Sequence, residues 1–157
     1  ITQDSLLLKM TETEFSDVLD VHLKGAFIGS QAAIKLMVKQ RQGHLIQIGS
    51  YSALSGPTGQ ANYAAAKAGL IALSQSLAVE YGPRGIRSNV ILPGFLDTKM
   101  THHLLKDETQ HQRILNSHTL GTLSTPQDTA RFIAFLHSMP AISGQVFQLD
   151  SRISRWS

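Results

Sequence analysis

The residues in this sequence best suited to chemistry are a tyrosine and a lysine four positions apart, in Asn62-Tyr63-Ala64-Ala65-Ala66-Lys67. On a helix that spacing puts both side chains on one face, a turn apart. A free phenol has a pKa near 10, so presenting it as phenolate at pH 7 costs roughly 4 kcal/mol, and a neighbouring ammonium stabilises that anion directly. Such a pair can pass a proton to or from a reacting oxygen near neutrality. Of the three tyrosines, only Tyr63 is so arranged, because Tyr51 has Ser55 and Tyr81 has Gly85 at the same spacing.

Other groups point less sharply. Ser50, Ser52 and Ser55 are not framed by the G-x-S-x-G turn that exposes a nucleophilic serine. His102, His103, His111 and His118 fall within one weakly periodic stretch, but no repeat of histidine and carboxylate spacing marks a ligand-bearing helix. The sequence therefore predicts no metal site and predicts solvent-facing histidines there.

The elements that must hold the tyrosine and lysine follow from local patterns. Thr11 with Glu14 forms a capping-box signal, and apolar residues from Phe15 to Val38 keep roughly helical spacing, predicting one long or broken helix to about Lys39 that Gly43 stops. Leu45 to Ile48 has strand length, and Ser50 to Gly59 is predicted to be a loop. An alanine-rich helix is expected from Gln60 to Tyr81, ending at Gly82-Pro83. Ile86 to Leu92 is a second strand with Pro93-Gly94 as its stop, and residues 95 to 122 suit a surface lid with short helices. Thr125-Pro126-Gln127-Asp128 opens a helix running to about His137, and Gly144 to Leu149 is a third strand. Strands alternating with helices indicate an α/β fold with a parallel sheet, and no repeat or linker divides the chain.

With Tyr63-Ala-Ala-Ala-Lys67-Ala68-Gly69, Ser50 thirteen residues before the tyrosine, and Pro93-Gly94-Phe95-Leu96-Asp97-Thr98, the sequence resembles the short-chain dehydrogenase/reductase family. The stretch from Gly59 to Leu70 is most similar to its 3-oxoacyl-acyl-carrier-protein reductases. The resemblance implies part of a doubly wound, Rossmann-like domain over residues 1–157, and NAD(P)-dependent reduction of a carbonyl, with a 3-oxoacyl thioester of fatty acid synthesis as substrate and NADP favoured over NAD. In those terms Tyr63 exchanges the proton, Lys67 lowers its pKa and holds the nicotinamide ribose, and Ser50 hydrogen-bonds the carbonyl oxygen. His22 stands where many members have an asparagine whose backbone carbonyl helps hold a relay water. Pro93, Gly94, Leu96 and Thr98 would line the nicotinamide end of the cofactor, and Arg41 and Arg84 match a docking patch for the acidic carrier. A homo-tetramer is implied for the full-length form. Asp150-Ser151-Arg152 departs from the acidic residue and glycines of typical members. Two alternatives stand beside this reading: a truncated, non-catalytic fragment, and an alcohol or steroid dehydrogenase of the same family.

A dinucleotide-binding domain of this type needs a strand, a glycine-rich turn and a helix N-terminus around the pyrophosphate, and no G-x-x-x-G-x-G or G-x-G-x-x-G occurs here. The expectation is a chain that represents the catalytic half, with an open sheet edge and an uncovered apolar helix face that make it unstable or associating alone. Composition narrows the remaining classes. The 157 residues carry 14 Lys+Arg against 11 Asp+Glu, spread without a basic run, so neither a nucleic-acid tail nor a membrane partner is expected. The absence of cysteine excludes disulfides and thiolate catalysis and accords with a cytoplasmic setting.

Overall fold

A computed structural model describes residues 1–153. Its centre is a three-stranded parallel sheet of β1 (Gly43–Ile48), β2 (Ile86–Leu92) and β3 (Val146–Gln148), in the order β1-β2-β3. The register runs from Gly43 opposite Ile86 to Ile48 opposite Ile91. β2 is the middle strand and carries most of the core, with Ile86, Val90, Ile91 and Leu92 all essentially buried. Burial on both faces explains why Val90-Ile91-Leu92 forms a continuous apolar run rather than an alternating one.

The helices are α1 (Glu12–Leu19), α2 (Gly25–Gln40), α3 (Ser52–Ser55), α4 (Ala61–Tyr81), α5 (His102–Lys106), α6 (Glu108–Asn116) and α7 (Pro126–His137). The capping box predicted at Thr11 is formed, the Thr11 N–H donating to Glu14 Oε2 at 2.7 Å and the Glu14 N–H to Thr11 Oγ1 at 3.2 Å. α1 and α2 are one continuous rod interrupted by a π-helical turn at Asp20–Lys24, so the long helix of the sequence pattern is a broken one. α4 packs on β2, α1 and α3. Its Gly69 lets the π turn approach, since a Cβ there would lie 2.8 Å from a methyl of Leu23.

Three local expectations change. α2 ends at Gln40 with Arg41 in the left-handed region at φ 51°, so Arg41 and not Gly43 terminates it. Gly43 instead opens β1, where a side chain would collide with Met37. The loop after β1 contains the single turn α3, closed by Gly56 at φ 54°. The third strand is shorter than its apolar pattern, because only Val146, Phe147 and Gln148 find ladder partners on β2.

Among the described residues, β1 is hydrogen-bonded to β2 alone, which leaves its other edge without a strand. Phe27, Ile28, Leu36 and Val79 are exposed on α2 and α4. Among the described residues no helix is long and apolar enough to cross a membrane.

Candidate active site

Parallel α/β sheets concentrate their functional groups beyond the C-terminal ends of the strands, and Ser50, Tyr63 and Lys67 collect there. Lys67 sits on α4, is 7% exposed, and donates from Nζ to the carbonyl of Ile48, the last residue of β1, at 2.8 Å. That bond is what makes its burial tolerable. Burial still pushes its ammonium below the ordinary lysine range. Nζ lies 5.6 Å from the centre of the Tyr63 ring, one helical turn away.

Ser50 follows β1 and lines the same cleft as Tyr63. The backbone N–H of Ser52, at the start of α3, donates to Ser50 Oγ at 3.1 Å. With that lone pair engaged, the hydroxyl proton is left to point at an acceptor. The Tyr63 phenol is held above its ordinary value, chiefly by burial, with the nearby Ser50 hydroxyl opposing and the Asp4 carboxylate adding to the effect. The Lys67 ammonium donates to Ile48, and burial keeps the phenol protonated at rest.

Asn62, which the sequence reading passed over, explains how the pair is oriented. It is fully buried and its amide donates to the carbonyls of Gln3 (2.9 Å) and Glu14 (3.0 Å). It thereby ties the N-terminal segment and α1 to the start of α4. Its Oδ1 accepts from the Tyr63 N–H at 2.7 Å and satisfies one of the unpaired donors of the helix N-terminus.

His22 is brought to the same place by the π turn, a distortion that frequently accompanies functional sites. Its ring meets the Tyr63 ring edge-on at 5.1 Å, and its Nε2 lies 2.8 Å from the carbonyl of Ile1. That bond identifies Nε2 as the protonated nitrogen. Burial lowers the His22 pKa, the Ile1 carbonyl opposes, and the nearby charge of Lys67 lowers it further.

The cleft in front of Tyr63 has a volume of about 300 Å³. Ser50, Tyr63, Gly94 and Leu96 line it. Pro93 does not, and Thr98 is exposed and turned into its own loop, its Oγ1 3.0 Å from Thr101 Oγ1. Gly94, at φ 88°, could not carry a side chain, because a Cβ would lie 2.8 Å from that of Asp150. Asp4, Gln60, Thr101, His103 and Arg152 also reach the cleft, and only their tertiary placement reveals it.

Away from the cleft, the Arg41 guanidinium donates to the Pro83 carbonyl at 3.2 Å, which brings the turns bearing Arg41 and Arg84 together on the surface. The prediction of solvent-facing histidines is corrected at His118. It is 3% exposed, bonded through Nδ1 to the Ile114 carbonyl at 2.8 Å, with Nε2 3.8 Å from Asp150.

Residues 1–151 match the profile of the family described as enoyl-(acyl carrier protein) reductase. The chain is 42% identical over 152 residues to the protein called 3-oxoacyl-(acyl-carrier-protein) reductase FabG in Rickettsia conorii (strain ATCC VR-613 / Malish 7). It is 43% identical over the same number to the protein of that name in Escherichia coli (strain K12). Each alignment covers 96% of this chain and 62% of the relative, so the chain spans under two thirds of the length of the curated proteins it matches.

Proposed function

Because the chain belongs to the short-chain dehydrogenase/reductase family, we propose that it carries the proton-handling half of an NAD(P)-dependent carbonyl reductase whose substrate is a 3-oxoacyl thioester. The observation that carries this reading is the convergence of the Ser50 hydroxyl, the Tyr63 phenol and the buried Lys67 ammonium at one end of the sheet.

A carbonyl oxygen entering the cleft between Ser50 and Tyr63 accepts from both hydroxyls. The Ser50 donor polarises it, and the Tyr63 donor stands ready to complete the alcohol. Burial keeps the phenol protonated until charge develops on the substrate oxygen, which suits a general acid. Lys67 places a positive charge 5.6 Å from the phenol ring, where it stabilises the tyrosinate left after transfer.

The residues present fit the nicotinamide ribose end of a dinucleotide. Lys67 and Tyr63 would hold the ribose, beside a turn at Gly94 that admits no Cβ. Bound there, the cofactor supplies the hydride that the carbonyl carbon takes up. The chain has no glycine-rich turn for the pyrophosphate. That favours a second reading in which this 157-residue chain keeps the acid/base groups without binding the cofactor by itself.

One experiment separates the two. NADPH binding to the chain is measured by fluorescence, and reduction of acetoacetyl-N-acetylcysteamine by absorbance, for wild type and Tyr63→Phe. The first reading expects turnover that falls by about 10²–10⁴-fold in the variant. Wild type that neither binds NADPH nor turns over supports the second reading, and equal turnover of both forms discards Tyr63 as the acid. The carrier protein as natural donor rests on Arg41 and Arg84, and reversing both charges should raise KM for the carrier-bound substrate alone.

A further inference from the structure

The tail after β3 places an arginine where the sequence pattern of the site has no counterpart. Arg152 lines the same cleft as Ser50 and Tyr63 and is 17% exposed. Its guanidinium stacks on the ring of Tyr51, the residue after Ser50, at 4.0 Å from the ring centre. Its Nε and Nη2 both donate to Asp150 Oδ2, at 2.7 and 2.5 Å. The Asp150 side chain is 1% exposed. Burial works against its charge, but the bonds from Arg152 and Gln148 prevail and hold its carboxyl below the ordinary range.

Those contacts use one edge and one face of a planar group. Asp150 occupies the Nε/Nη2 edge and Tyr51 covers the face, so the remaining edge is the end-on fork of Nη1 and Nη2. Nη1 makes no hydrogen bond to any other described residue. The other fully charged side chain of the cleft, Asp4, is engaged by the Gln60 amide at 2.8 Å and acts on Tyr63. The cleft therefore has a negative charge near the phenol and a pre-oriented donor fork beside Tyr51.

We propose that Arg152 is a specificity-determining residue whose end-on fork takes a second acyl oxygen of the substrate, so that the cleft selects compounds bearing an acyl or carboxylate oxygen in addition to the reacting carbonyl over simple ketones. The proposal rests on the carbonyl-binding reading of Ser50 and Tyr63. Because Asp150 fixes the guanidinium before any ligand arrives, little side-chain entropy is lost on binding. Lysine cannot replace it fully, since an ammonium lacks the fork.

The test is a ligand-detected NMR titration of the whole chain with acetoacetate, its N-acetylcysteamine thioester and 2-pentanone. The proteins are wild type, Arg152→Gln, which keeps a donor for Asp150, and Arg152→Lys, which keeps the charge. Removing a hydrogen bond to a charged group should weaken acetoacetate by about 10–100-fold in Arg152→Gln, the neutral thioester by several-fold, and 2-pentanone not at all. Arg152→Lys should recover part of the acetoacetate affinity. A larger loss for acetoacetate identifies a carboxylate as the preferred partner, whereas equal losses identify the thioester oxygen. Wild type that binds acetoacetate no tighter than 2-pentanone overturns the proposal, as does a uniform effect of Arg152→Gln on all three ligands. If Arg152→Gln does not fold, as judged by circular dichroism, Arg152→Lys carries the test, and undiminished preference for acetoacetate over 2-pentanone in it counts against the fork. Failure of the underlying reading looks different. Ser50→Ala and Tyr63→Phe would then leave every affinity unchanged while the discrimination due to Arg152 persisted.

Discussion

Lowering the pH from 7 to 4.5 should destabilise this fold chiefly through one imidazole. His44 stands on β1 beside Asn89 of β2, and the Asn89 amide donates to its Nε2 at 2.9 Å. The orientation of that amide is fixed independently, because it also donates to the Ile142 carbonyl at 3.1 Å and accepts the Gln145 N–H at 3.0 Å. Nε2 must therefore be the acceptor and Nδ1 must carry the proton, so the ring is neutral in the fold. Nδ1 is buried without a partner among the described residues. Burial, then the charge of Arg87, then that of His137 lower the His44 pKa from 6.5 to about 4. A folded value below the unfolded one means that the unfolded chain binds the proton first. The stability contribution is whole above pH 6.5 and is lost as pH falls toward 4. The full difference corresponds to about 3 kcal/mol, and solvent screening of a half-buried ring reduces this to about 1–2 kcal/mol. Urea unfolding of dilute protein at pH 7 and 4.5 measures the loss, and His44→Gln, whose amide oxygen can still accept from Asn89, should remove most of it. The His44 ring proton followed by NMR should titrate near pH 4. A titration near 6.5, or an unaltered acid loss in His44→Gln, would refute the reasoning.

Gly85→Ala should be severe, since a Cβ would lie 2.3 Å from the backbone oxygen of Arg41 in a residue at φ 73°. The left-handed conformation alone costs about 1–2 kcal/mol and the backbone clash adds to it, so the unfolding midpoint should fall well below wild type. In the unliganded chain, burial should keep the Tyr63 phenol protonated beyond the ordinary tyrosine range. The ultraviolet difference titration of wild type against Tyr63→Phe shows this as a component above pH 10, and a component near 7 would contradict it. The open edge of β1 and the exposed Phe27, Ile28 and Leu36 should make the chain associate. Sedimentation over a wide concentration range should show mass rising, and a monodisperse monomer with a cooperative melt would contradict it.

What the sequence determined by itself is the set of elements and the pairing within them. Thr11 with Glu14 and Thr125 with Asp128 cap helices because both partners lie within one turn, where backbone geometry alone decides who meets whom. Tyr63 and Lys67 share a face of α4 for the same reason. Ser50 could be located only through resemblance, because its meeting with Tyr63 depends on where β1 ends relative to α4. The tertiary structure decided everything that joins distant segments. Lys67 turns to the carbonyl of Ile48, and Asn62 reaches Gln3 and Glu14. His118 is withdrawn from solvent toward Asp150, and Arg152 lies over Tyr51. Even the π turn that aims His22 at Tyr63 has no separate local signal, since its residues continue the helical period on both sides. Helical spacing and caps are enforced by hydrogen bonds a few residues long. Contacts across the sheet are set by register and by the burial of side chains whose neighbours exist only once the strands have assembled.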